Sequence, residues 1–208
     1  MDEDIQKYIK CMNEIKLRDQ VIEDFLTSKR HTGQRMTNIE LICLQFRKIG
    51  EIIMLSAICA HKKDFQEMQC NIEKQWNPVK IRKALDNIHP EFYPLPFERM
   101  VEKSTGKPKN ERVKSGYLTK DECISLIGRC GGILHGFNPY NDHKVFEEIE
   151  AVENKFQEWQ AKVRRLLKTH EIKLSGISKQ LWVYMAHGPN QQVLVEERMP
   201  ATAIREDI

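Results

Sequence analysis

The stretch from Ile39 to Ala60 constrains this chain more than any other. It is apolar on nearly every side of a helix, and a helix of that kind belongs in the interior. The segment therefore predicts a central, most buried helix reaching to about Lys62, with the other elements arranged around it. Thr37-Asn38-Ile39-Glu40 supplies a capping box, and Met36 with Leu41 a hydrophobic staple, at its N-terminal end. Glu40, Gln45, Arg47, Lys48 and Glu51 interrupt the run, which excludes an ordinary transmembrane span.

A second helix precedes it. Ile5, Tyr8, Ile9, Met12, Ile15, Ile22, Phe25 and Leu26 recur at three- and four-residue steps, giving one apolar stripe from about residue 3 to 27, broken once by Asp19. The link from Ser28 to Arg35 is short, so the two helices should lie antiparallel. Residues 63–75 carry no firm pattern. Asn77-Pro78 reads as an N-cap followed by proline at the first helical position, opening a short helix to about Asn87. The segment His89 to Phe97 contains three prolines. It reads as an extended stretch, neither helix nor interior strand, that lays Phe92, Tyr93 and Phe97 over the bundle. Residues 98–117 are lysine-rich and broken by Gly106, Pro108 and Gly116, so they read as a solvated loop.

Thr119-Lys120-Asp121-Glu122 is a second capping box, opening a helix that carries Ile124, Leu126, Ile127, Ile133 and Leu134 and exits through Gly136 and Asn138-Pro139. Val145, Ile149, Val152, Phe156, Trp159, Val163 and Leu166 then predict one continuous helix from about 142 to 169. Beyond it the period shortens. Ile172 to Leu174, Gln180 to Met185 and Gln192 to Val195 read as a small antiparallel meander of two or three strands. The expected fold is thus mainly α: a bundle of about four long helices over 1–170 with an irregular insertion at 88–118. A β meander over 171–199 packs on its end, followed by a tail over 200–208.

Composition narrows function mainly by exclusion. A net charge of +3 on 208 residues gives no global basic field of the kind that coats DNA. The six cysteines form no Cys-x-x-Cys pair, and several fall inside apolar helical patterns. With a Met-Asp-Glu-Asp start, this favours free thiols and a cytoplasmic setting. The histidines lack any recognised ligand spacing, so no metal site and no cofactor is expected.

Two charged constellations remain. Glu40, Arg47 and Glu51 fall within about 40° of one another on the central helix. Arg47 and Glu51 can form an i,i+4 pair at a wet edge, or the stripe can face the second constellation. That second constellation is Arg129-Cys130-Gly131-Gly132-Ile133-Leu134-His135. An arginine grips phosphate bidentately, and a histidine can move a proton near neutral pH. Gly128, Gly132 and Gly136 share a face, and interior glycines cost about 1 kcal/mol each relative to alanine, so close approach there should have a use. That use is either a ligand or partner, or a tight helix crossing with Arg129 and His135 at its edge.

The pairing of Arg129 and His135 on one helix resembles the HEPN superfamily, α-helical domains marked by Arg-x4–6-His near the end of a bundle helix. The resemblance implies a homodimer in which the two residues of two protomers meet and cleave RNA without a metal, the ribose 2′-hydroxyl being the nucleophile. Arg129 would hold the scissile phosphate and His135 would act as acid and base. Arg47, Glu51, Glu40 and Asn138 are the expected substrate-side residues. RNA or a nucleotide is the expected partner, in a defence or toxin role. Cys130 stands where the family commonly has a polar residue after the arginine. The rival expectation is a non-catalytic helical scaffold or protein-interaction module.

Overall fold

In the computed structural model the described residues are 3–60, 78–102, 106, 108–135, 142–173, 180–188 and 190–198. Six helices are described: α1 (Glu3–Leu26), α2 (Arg35–Ala60), α3 (Pro78–Ile88), α4 (Lys120–Ile133), α5 (Asp142–Glu153) and α6 (Phe156–Leu167). The strands are β1 (Leu95–Val101), β2 (Pro108–Arg112), β3 (Thr169–Lys173), β4 (Gln180–His187) and β5 (Gln192–Arg198). They form one antiparallel sheet in the order β2-β1-β3-β4-β5. The protein is mainly α.

The central helix is where its composition demands. Ile39, Ile42, Cys43, Phe46, Ile49, Ile53, Met54 and Ala57 of α2 are all buried. Against it α1 presents Tyr8, Met12, Ile15 and Ile22. Arg18 of α1 donates to Gln45 of α2 at 2.9 Å, whereas Cys11, further back on α1, meets Cys59, further on along α2, so the pair is antiparallel. The Thr37 box is not the cap in use. The α2 helix begins two residues earlier, at Arg35, because the Asn38 side chain turns back to accept from the Thr32 N–H (2.8 Å) and hydroxyl (2.9 Å). The box at Thr119 is formed on both sides: its side chain accepts from the Glu122 N–H, and the Glu122 carboxylate accepts from the Thr119 N–H at 2.9 Å.

Three expectations are corrected. The predicted helix over 142–169 is two helices, α5 and α6, parted at Asn154 and Lys155. There the Lys155 N–H bonds back three residues, to Val152 at 3.0 Å, which tightens the turn. Ile149, Val152, Phe156, Trp159, Val163 and Leu166 stay buried across the break, so the apolar spacing could not reveal it. Only α1 and α2 are long, so the bundle is not one of four long helices.

Residues 98–117 are not simply a loop. They complete a hairpin in which Phe97 to Val101 pair with Pro108 to Arg112. The sheet is therefore five-stranded and larger than a hairpin or meander. Charged Lys109 and Arg112 suit β2, which lies at the sheet edge. Pro96 sits in an interior strand because β1 meets β3 only at Leu95 and Pro96, so the missing N–H interrupts almost no ladder. Phe92 and Tyr93 cover the helices as expected. Phe97 instead packs on Trp182 and Tyr184, at ring-centroid distances of 5.3 and 6.1 Å.

β3 follows α6 after a single residue, and Leu181 and Val183 of β4 face the same core as Leu166, Leu167 and Ile172. Lys16 of α1 donates to the carbonyls of Met185 (3.1 Å) and Gln191, tying the β4–β5 hairpin to the first helix.

Candidate functional site

The α4 helix has two unlike faces. Cys123, Leu126, Ile127, Cys130 and Ile133 are buried, chiefly against α2. The glycine permitting this crossing is Gly50, on α2. A Cβ there would lie 2.6 Å from Ile127 Cγ1 and 3.5 Å from the Cys123 sulfur. Gly128 and Gly132 do the opposite: a Cβ at either would meet nothing within 4 Å. Among the described residues the ridge at Gly128 and Gly132 is therefore open and is not the site of a tight helix crossing. Gly50 gave no motif signal, since a single glycine in an apolar helix reads as filler.

Arg129 emerges on the open side. It is exposed, and its guanidinium carbon lies 5.6 Å from the centre of the Trp159 ring of α6. Trp159 is itself edge-on to Phe46, with ring centroids 5.7 Å apart. This stacking holds the arginine at the α4–α6 junction while leaving its N–H groups free of any ion pair or hydrogen bond among the described residues.

Arg47 approaches from α2. Its Nε donates to Glu51 Oε1 at 2.9 Å, and a terminal nitrogen lies 3.7 Å from where a Gly131 Cβ would be. Lys48 reaches the other Glu51 oxygen at 3.3 Å. The Arg47–Glu51 pair is thus formed, and Arg47 also reaches α4 at Gly131. Both guanidinium charges act on the Cys130 thiol. Its hydrogen bond with Cys43 and its burial outweigh them and push its ionisation up, which removes Cys130 as a nucleophile.

His135 stands past the Leu134 C-cap, exposed, with its backbone N–H donating to Gly132 at 3.3 Å. Its ring has no protein partner among the described residues and does not touch Arg129. Glu40 is half-buried near the start of α2, about 10 Å along the axis from Arg47. Asn138 and Gly136 lie outside the described residues. Arg129 thus stacks on α6 and Arg47 reaches α4 at Gly131, whereas His135 and Glu40 are joined to neither among the described residues. Among the described residues, no group of three or more metal-ligating side chains could hold an ion, and no helix is long and apolar enough to cross a membrane.

Sequence reasoning missed one buried polar cluster. The Tyr8 hydroxyl and His170 Nε2 are 2.7 Å apart, and His170 Nδ1 lies 3.0 Å from the Leu167 carbonyl. Both side chains are fully buried. A carbonyl only accepts, so Nδ1 carries the ring proton and Nε2 accepts from the phenol. Burial lowers the His170 pKa to about 4, against a smaller opposing effect of the Leu167 bond. The signal lay in the strand alternation: His170 and Ile172 are the inward positions of β3.

Compared with known proteins, the chain matches no family model, no curated protein and no solved structure.

Proposed function

We propose that the α4 face bearing Gly128, Arg129 and Gly132 pairs with the same face of a second copy, and that the pair cleaves RNA without a metal, as the resemblance to HEPN domains implies. One observation carries this reading: a bare glycine ridge, open on the surface, runs between an exposed arginine and an exposed histidine. Helix stability argues against glycine at those positions, and packing among the described residues does not use them. A partner backbone or a phosphodiester can come close there.

In the reaction, Arg129 binds the non-bridging phosphate oxygens bidentately and stabilises the charge that builds on them. His135 of one protomer takes the proton from the ribose 2′-hydroxyl as its oxygen attacks the neighbouring phosphorus. The phosphorus–5′-oxygen bond breaks, and the partner's His135 protonates the leaving oxygen. Arg47, oriented by Glu51, adds a second cation beside the phosphate. Glu40 and Asn138 would act further along the strand.

The test is incubation of purified protein with mixed RNA in EDTA, beside an Arg129→Ala/His135→Ala double variant, with oligomeric state followed by light scattering. Cleavage by a wild-type dimer, lost in the variant, is the expected result. No cleavage, or equal cleavage by both, overturns the reading.

A second reading has its own observation. Arg129 already has a use, stacked on Trp159, and the same glycine ridge would serve a non-catalytic scaffold docking a partner helix. A wild-type dimer with no cleavage favours it.

A further inference from the structure

We propose that the cleft between the α1–α2 turn and the α5–α6 break is a nucleobase-binding site, best matched to adenine. The cleft has a volume of about 660 Å³, within the range that small ligands fill. Its floor is apolar, built by Phe25, Ile39, Ile42 and Phe156. Its rim carries His31, Asn154 and Gln157, all exposed, and none of these side chains bonds to protein among the described residues.

Two amides of this rim lie at the α5–α6 junction. Asn154 still bonds back to the Glu150 carbonyl at 3.0 Å, and Gln157, three residues on, opens into the same cleft, as i,i+3 neighbours do. A primary amide offers a donor and an acceptor side by side, the pattern that reads the N6/N7 edge of adenine. Charge argues for a base rather than a phosphate. The one arginine of the cleft, Arg35, is already ion-paired with Glu153 across it. Asn38 is also committed, holding Thr32, so the two free amides and the imidazole do the recognising.

Two buried rings separate the floor of the cleft from Arg129. The floor residue Phe156 lies 6.3 Å from the Trp159 ring, on which Arg129 stacks at 5.6 Å. Placing the nucleotide's 3′-phosphate on Arg129 rests on the RNA-cleavage reading; the base site does not.

Calorimetric titration with adenosine and with adenosine 3′-monophosphate tests both parts separately. The proteins are wild type, Asn154→Ala/Gln157→Ala, Gln157→Ala alone, and Arg129→Ala/His135→Ala, each checked for an unchanged thermal melt. Adenosine should bind wild type, weaken about tenfold or more in the double amide variant, as loss of a bidentate base contact does, and bind the Arg129 variant unchanged. Gln157→Ala should fall between. The 3′-phosphate should tighten binding in wild type and not in the Arg129 variant. Absence of adenosine binding by wild type, or equal binding by the amide variants, overturns the base site. Adenosine binding as expected, with the phosphate gain intact in the Arg129 variant, upholds the base site and removes Arg129 from the phosphate.

Discussion

The phenol of Tyr8, in the first helix, donates to Nε2 of His170, in the third strand, at 2.7 Å and with both side chains fully buried. This bond ties α1 to the sheet through a neutral imidazole. Burial also pushes the Tyr8 phenol well above its ordinary pKa, so the bond stays neutral at both ends over the working range.

Acid should loosen this tie. The ring protonates near 6.5 in the unfolded chain and at about 4 in the folded one, so the unfolded state binds the extra proton first as pH falls. Stability is full above about pH 6.5 and is lost down to about pH 4, by about 3 kcal/mol. Urea unfolding across that window should show the slope, and His170→Gln should remove this part of it. A slope identical in both proteins would contradict the assignment. Tyr8→Phe should cost roughly 1–3 kcal/mol at pH 7, by leaving Nε2 without a donor.

Alanine at two glycines should act with opposite signs. Gly50→Ala drives a Cβ into Ile127 at 2.6 Å and should cost about 1–3 kcal/mol, as overpacking does. Combining it with Ile127→Ala should recover part of that loss non-additively. Gly128→Ala meets nothing among the described residues and should raise stability by up to about 1 kcal/mol. Thermal melts decide both. If the ridge is a dimer face, Gly128→Ala should nevertheless weaken association, measured by dilution.

Removing the Arg129 side chain should barely change folding. Its one contact among the described residues is the Trp159 ring, and an exposed contact of this kind is worth about 0.5–1 kcal/mol. A loss of RNA cleavage in Arg129→Ala would then report on chemistry, not on unfolding. Trp159→Leu should lower activity as well, by releasing the guanidinium from its position, while Arg129→Lys should not restore it, since lysine lacks the planar fork. Cleavage assays with melts alongside check this. Full activity in Trp159→Leu would show that the stacking positions nothing.

The second capping box is open to a direct test. Thr119→Ala removes the acceptor of the Glu122 N–H and should cost about 1 kcal/mol. Thr37→Ala should cost much less, because α2 starts at Arg35 and Thr37 caps nothing. Equal losses at the two positions would be inconsistent with the observed helix starts.

What the chain's own pattern determined is local. The apolar circumference of α2, the stripe on α1 and the reciprocal bonds of Thr119 and Glu122 each depend on residues within a turn or two of one another. Those elements were legible before any tertiary contact was known, and so was the Arg47–Glu51 pair, which is set by helix spacing. Tertiary structure decided the rest. Strand β2 opens on a proline and is too polar to announce itself, and it exists because β1 offers it a partner edge. The start of α2 went to Asn38 and Thr32 because the preceding turn brings them together. Gly50 became the close-packing glycine, and Gly128 and Gly132 the open ones, only once α2 and α4 crossed. The site divides in the same way: spacing singles out Arg129 and His135, whereas the stacking of Arg129 on Trp159 and the approach of Arg47 arise from helices distant in sequence. No local pattern encodes such contacts, because their partners are chosen by packing.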